Sequence, residues 1–429
     1  MTRFAIFSFA LSFLPLAGFS QTKLEYAPAS ADNPLKGFVP YVDTDAWERF
    51  PHSMEFTYFA INDLMQGYDT FDWSPIEKVL KVTQERGVQL TFRVMMEYPE
   101  RGLLVPQFLV DEGVKITKWE SKESDSGICY TPDYEDPRLR RALEAFIAAM
   151  GEKYDGDPRV SYLTAGLLGL WGEWHNYPRE ELGASKETES LVLDAYEKAF
   201  SKTPILLRYP AGEDHYAHGS NHLRPFGYHD DSFNWATLDT GKKQDDWFFM
   251  PLVNGAGAAE KWKTQPIGGE LRPELWKKSF TGNPHKKSQG FEACVDATHA
   301  TWLMDSGLFE KRFPLPEDRK AKAMKAAQML GYELHVSEWQ VIDGEVQITV
   351  ENQGAAPFYH QWQAELEADG KSIAMFDLRG ILPGQSKVWT AKAGADGAGY
   401  RLRVANPMAG GKPLRFANKE QGAEWLVLP

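Results

Sequence analysis

The chain has 429 residues, 43% hydrophobic and 25% charged, enough for a barrel with a smaller module and inconsistent with global disorder. Its 47 basic and 60 acidic residues leave a formal charge of −13, which argues against nonspecific nucleic-acid binding, since that needs clustered Lys and Arg. No segment has the length and hydrophobicity of a transmembrane helix; the apolar run over residues 4–17 is too short to span comfortably.

That run follows a basic start, Met1-Thr2-Arg3, and precedes Gly18-Phe19-Ser20, which puts small residues where a signal peptidase reads them. Residues 1–20 are therefore expected to be a signal peptide cleaved near Ser20, with export to the periplasm or medium. No Cys lies there to carry a lipid anchor. In an oxidising compartment Cys129 and Cys294 either form a disulfide or stay two separate thiols; neither has metal-type or redox spacing.

Strand-like and helix-like patterns then alternate from about residue 35 to about 330. Strands are expected over 37–42, 56–62, 89–96, 160–171, 204–209, 226–231, 266–270 and 299–303. Helices are expected over 73–86, 138–154, 187–200 and 319–330; Ser74-Pro75 and Gly87 suit the ends of the first. A long loop spans 97–135. From about 332 the pattern changes to short alternating runs with turns at Asp343-Gly344 and Asp369-Gly370. The predicted architecture is α/β: a (β/α)8 TIM barrel over 21–331 followed by a small antiparallel β-sandwich over 332–429. A doubly wound open sheet is the alternative. The first strand is followed by no Gly-rich phosphate loop, so no nucleotide cofactor is expected.

Reactive groups of parallel barrels gather at the carboxyl ends of the strands. Those positions hold Asn62 and Asp63, Arg93 and Glu97, Glu173 and His175, Arg208 and Tyr209, His229 with Asp230 and Asp231, Glu270 and Arg272, then His299 and Trp302. Glu173 ends an apolar run between Trp171 and Trp174. Desolvation beside aromatic faces favours a protonated carboxyl, which suits a general acid. Its structural alternative is an ion pair with Arg93 or Arg208. Glu270, after Gly268-Gly269, is the candidate partner, because glycosidic cleavage uses two carboxyls; pairing with Arg272 is its bland alternative. His175, His229, Asp230 and Asp231 could ligate a cation if they converge, whereas His215, His218 and His222 lie in a Gly- and Asn-containing loop. No His-Glu-x-x-His helix and no Gly-x-Ser-x-Gly elbow is present.

With Glu173 after the fourth strand and Glu270 after the seventh, the chain resembles clan-A glycoside hydrolases. The resemblance covers about 33–330 and implies Glu173 as acid/base and Glu270 as nucleophile, acting on a carbohydrate with no metal or other cofactor. Segments Asn33-Pro34-Leu35-Lys36-Gly37-Phe38, Trp171-Gly172-Glu173-Trp174-His175 and Gly268-Gly269-Glu270 are also similar to an uncharacterised group of exported bacterial barrel-plus-sandwich proteins. Arg93, Trp171, Tyr209, His229, Asp230 and Trp302 are expected to contact the sugar. Clan-A enzymes carry Asn where Gly172 stands, so the sugar 2-hydroxyl falls to His175 or Asn176. The competing functions are a non-catalytic carbohydrate-binding protein and a metal-assisted hydrolase or lyase.

Overall fold

The computed structural model describes residues 22–122, 127–208, 221–395 and 397–429. The expected signal peptide, Tyr209, His215 and His218 lie outside the described residues. Eight parallel strands form one sheet: β1 Gly37–Val39, β2 Met54–Ala60, β3 Gln89–Met95, β4 Val160–Thr164, β5 Ile205–Leu207, β6 Gly227–Phe233, β7 Ile267–Leu271 and β8 Trp302–Met304. Each pairs with its successor in sequence, β8 returns to β1, and a parallel bridge from Tyr41 to Phe56 joins β1 to β2. The ring is therefore closed, and the open-sheet alternative is excluded. β3 is buried along all seven residues, as expected of strands covered on both faces.

Helices α1 Ser74–Glu85, α2 Pro137–Tyr154, α3 Lys186–Ala199, α4 Phe249–Gly255, α5 Phe291–Thr298 and α6 Glu317–Met329 accompany the strands. α2 begins where Asp136 accepts from the Arg138 N–H and Pro137 fills the first turn. Its buried Leu139, Leu143, Phe146, Ile147 and Met150 repeat at three- and four-residue steps and face the barrel. Between β1 and β2 the connection is only a 3-10 turn, Trp47–Arg49, so the strand–helix alternation fails there. The expected loop over 97–135 is structured: it holds a short helix, Gln107–Asp111, and an antiparallel hairpin, Ile116–Ser121 with Gly127–Pro132. The eighth strand starts at Trp302 rather than at His299, which caps α5 in the left-handed region (φ 55°) and so lies at the amino end of β8. Cys129 and Cys294 are both buried and free, in agreement with the separate-thiol alternative.

Beyond α6 come β9 Leu334–Ile342, β10 Glu345–Asn352, β11 Gln363–Ala368, β12 Lys371–Asp377, β13 Ser386–Lys392, β14 Tyr400–Arg403 and β15 Leu426–Leu428. They form two four-stranded antiparallel sheets, β9-β10-β13 extended by the short strand Thr22–Lys23, and β12-β11-β14-β15. Val346, Ile348, Leu366, Trp389, Leu402 and Leu426 belong to the cluster between them. The Asp343-Gly344 turn has positive φ at both residues, 53° and 78°, the twist that a two-residue hairpin loop requires.

The sandwich covers the lower end of the barrel. Tyr162 of β4 stacks on Trp302 of β8 with centroids 5.8 Å apart, and His360 of the β10–β11 loop packs edge-on to Tyr162 at 5.1 Å. The Asn33–Phe38 motif forms the seam. Asn33 exchanges two hydrogen bonds of 2.9 Å with the Arg415 backbone. Tyr162 and Tyr332 donate to the carbonyls of Leu35 and Pro34. The Lys36 ammonium, 1% exposed, donates to the Tyr332 carbonyl at 2.6 Å and meets Glu333 at 3.4 Å. Removing one member of a buried pair leaves an uncompensated charge. Lys36→Met is therefore expected to lower the unfolding free energy by about 3 kcal/mol in urea titration. A loss below about 1 kcal/mol, the range of exposed pairs, would contradict this role for the seam.

Candidate active site

Glu173 is held by a compact loop after β4. The strand expected over 160–171 stops at Thr164, yet the chain stays bonded to its neighbours: Ala165 N–H to the Leu206 carbonyl, Leu167 N–H to Val94, and Trp171 N–H to Glu97. The Leu170 N–H then reaches the His175 carbonyl at 2.9 Å, closing a turn that presents Glu173. Leu167, Trp171 and Trp174 all have positive φ (73°, 55° and 62°). Left-handed geometry is costly for such side chains and persists where the surroundings enforce it, as at functional sites. Gly172 (φ 70°) explains the departure from the clan-A pattern. A Cβ there would lie 3.0 Å from Gly166 Cα and 3.3 Å from Arg93 Cδ, a tight fit that, with the positive φ, disfavours a side chain. At Gly166 the approach is closer still, 2.0 Å from a Cβ to the Val94 carbonyl oxygen.

Arg93, at the carboxyl end of β3 and 2% exposed, is the hub. Its Nε donates to Thr164 Oγ1 at 3.0 Å, its Nη1 to Glu173 Oε1 at 3.2 Å and to the Trp171 carbonyl at 3.4 Å, and its Nη2 to His229 Nδ1 at 3.3 Å. A guanidinium only donates, so His229 carries its proton on Nε2. Burial, with Arg93 beside it, pushes the His229 pKa down to about 3, and the ring is neutral. Glu173 also meets His175 Nε2 at 3.5 Å, and its charge helps to raise the Asp231 pKa. Arg208 bridges the same group, its Nε 2.8 Å from Asp231 Oδ2 and its Nη1 donating to the Glu173 carbonyl at 3.3 Å.

Glu270 completes the set from β7. Burial, then the charge of Glu173, raises its pKa to about 8 against the opposing field of Arg93. Burial likewise lifts Asp231 to about 6, opposed by Arg208. At neutral pH the mouth thus holds a protonated carboxyl at Glu270, while Glu173 lies 3.2 Å from the Arg93 guanidinium. Tyr41, Tyr58 and Tyr98, all half-buried, feel this charge and line the mouth beside Trp171, which packs against Tyr98 and His175. Arg93 lies over the Tyr58 ring, 5.7 Å from its centroid.

The structure thus brings Glu173, Glu270, Arg93, His175, His229 and Trp171 together. Three expected contact residues stand elsewhere. Asp230 alternates away from His229 and Asp231 and accepts from the Ser232 N–H and the Thr237 hydroxyl at 2.9 and 2.6 Å, on the outer face of the sheet. Asn176 is fully buried, and its amide serves Glu97, which also accepts from Thr131 and Tyr134. Trp302 is fully buried beneath His229, with centroids 5.4 Å apart. Sequence reasoning named Asp231 at the strand end but chose Asp230 as the sugar contact, and it left the three tyrosines out of the site; the two-residue alternation along β6 would have selected Asp231 over Asp230. Trp174 does not shield Glu173: its indole N–H donates to the Ala165 carbonyl and its ring packs on the core. Among the described residues no group of three or more His, Cys, Asp or Glu is arranged to hold a metal ion.

No family model matches the chain, and no curated protein does. Among solved structures it is similar to the β-amylase catalytic domain from Paenibacillus polymyxa (10% identity, 70% of this chain and 99% of that one, TM-score 0.45). It is also similar to a GH5_18 protein from Bifidobacterium longum subsp. infantis (13%, 65% and 70%, TM-score 0.40) and to an α-amylase from Geobacillus thermoleovorans (9%, 83% and 89%, TM-score 0.34). The barrel assignment stands on this chain's own strand order and closing bridge.

The buried carboxyls set a stability trend. Glu97, Asp230 and Asp305 are raised by burial to about 7 and Glu270 to about 8. The native state therefore holds protons that the unfolded chain releases, and stability falls as pH rises towards these values. His229 and His360, lowered to about 3 by burial, oppose this only below about pH 6.5, where unfolded histidine titrates. The melting temperature is expected to drop between about pH 6.5 and 8. A rise over that interval in scanning calorimetry would contradict the protonated carboxyls.

Proposed function

We propose that the protein is a glycoside hydrolase using Glu173 and Glu270. The observation carrying this reading is one mouth holding two carboxyls in different surroundings, one paired with a buried guanidinium and one kept protonated by burial. Glycosidic cleavage needs such a pair, an acid for the leaving oxygen and a carboxylate at the anomeric carbon. Glu270 donates its proton to the glycosidic oxygen as the C1–O bond breaks. Glu173 attacks C1, or takes a proton from the water that does, and water supplies the new oxygen. Arg93 pairs with Glu173 and fixes its position, and neutral His229 offers no competing charge. The half-exposed tyrosines and Trp171 give flat faces against which sugar rings stack. This division of labour reverses the one implied by resemblance, in which Glu173 is the acid. Trp174, the aromatic face invoked for that role, packs away from the carboxyl. Given the apolar amino-terminal run, the site of action is proposed to be outside the cytoplasm.

With an unactivated oligosaccharide substrate, Glu173→Ala and Glu270→Ala are each expected to lose about a thousandfold or more in kcat/KM. With an activated aryl glycoside, whose leaving group needs no proton, Glu270→Ala retains turnover and Glu173→Ala needs azide to recover it. The mirror-image result assigns the roles the other way; unimpaired cleavage in either variant overturns the reading. On the alkaline side, kcat/KM is expected to fall with an apparent pKa near 8, as Glu270 loses its proton. A flat profile from pH 6 to 10 would remove Glu270 as the acid.

A further inference from the structure

A cavity of about 600 Å3, within the usual size range of ligand sites, lies between α5, α6 and the segment that follows β7. Leu275, Phe280, Phe291, Ala326 and Met329 form its apolar floor. Lys278, Lys322 and Lys325 rim it against the single carboxylate of Glu292, in a chain whose formal charge is −13. None of the three lysines is engaged in an ion pair with a described residue, so their charge is available to a ligand. Lys286 and Lys287, both exposed, extend the positive rim towards Trp235, over which the Lys287 ammonium lies 4.4 Å from the ring centroid. Such focused charge on an otherwise acidic protein selects an anion.

The cavity is linked to the mouth through the segment that ends β6. Its wall includes Asn234, three residues beyond Asp231, a span of at most about 11 Å even if fully extended. We infer that the cavity binds a negatively charged sugar unit of the same chain that occupies the mouth, so that the substrate class is an acidic glycan. Apolar carbons of the sugar ring rest on the floor while its carboxylate or sulfate faces the lysines. This inference rests on the glycosidase reading and goes further by naming the substrate class.

Binding is measured by calorimetry on Glu270→Gln, which holds substrate without turnover, and on the same protein carrying Lys278→Gln, Lys322→Gln and Lys325→Gln. Probes are oligogalacturonate, a sulfated dextran oligomer, a neutral cello-oligosaccharide and polyglutamate. The parent is expected to bind at least one anionic oligosaccharide more tightly than the neutral one, and the lysine variant at least about tenfold more weakly, with a shallower salt dependence. The anionic probe that binds identifies carboxylate or sulfate as the group recognised. Equal affinity of parent and lysine variant, or polyglutamate binding as tightly as the sugars, overturns the inference. The two readings fail separately. Cleavage of neutral glycans by wild type without anionic binding removes only the acidic-glycan site. Lysine-dependent anionic binding with no glycan cleaved removes only the hydrolase.

Discussion

A single buried guanidinium organises the upper end of this barrel. Arg93 joins β3 to β4 through Thr164, to the loop carrying Glu173 through the Trp171 carbonyl, and to β6 through His229. A positive charge 2% exposed is stable only if its donors are satisfied and its charge is countered. Glu173 pairs with it directly, and Tyr58, Glu173 and Asp231 raise the guanidinium's own pKa against the opposing effect of burial. The glycines at 166 and 172 follow from the same requirement, because side chains there would strike the β3 carbonyl edge or the Arg93 stem. The loop geometry around Glu173 is thus a consequence of fitting a backbone over Arg93.

The two ends of the barrel solve different problems with similar groups. At the lower end Lys36 meets Glu333 and the Tyr332 carbonyl, an arrangement with one solution and no free capacity. At the upper end three carboxyls share the fields of Arg93, Arg208 and Arg272, so a proton stays bound near neutrality. Like charges close together in a buried site cannot all ionise, and this separates acid from base among chemically similar groups. The sandwich contributes rigidity from below: its loop at His360 and the stacked Tyr162 and Trp302 fill the barrel interior beneath His229.

Much of the fold was legible in the sequence, because burial on both faces writes strands as apolar runs and turns write themselves in Gly, Asp and Pro. The eight barrel strands and the Asp343-Gly344 and Asp369-Gly370 turns are of this kind. The hairpin after β3 was not legible, since Lys118, Glu120 and Thr131 blur its alternation. At the site, position along the chain was legible and direction was not. Glu173 stands out in an apolar context, but the left-handed residues around it decide where Trp171, Trp174 and Asn176 point, and no hydrophobic period encodes that. Tyr41, Tyr58 and Tyr98 read as ordinary strand and loop aromatics; only ring closure turns them towards Glu270.

The central claim is that the resting mouth holds a neutral carboxyl at Glu270 beside a Glu173 paired with Arg93. Carbon-13 NMR of protein labelled at the glutamate side-chain carboxyl tests it directly, with resonances assigned through Glu173→Gln and Glu270→Gln. The account predicts that the Glu270 signal titrates near pH 8. A Glu270 signal fully ionised at pH 6 would contradict it.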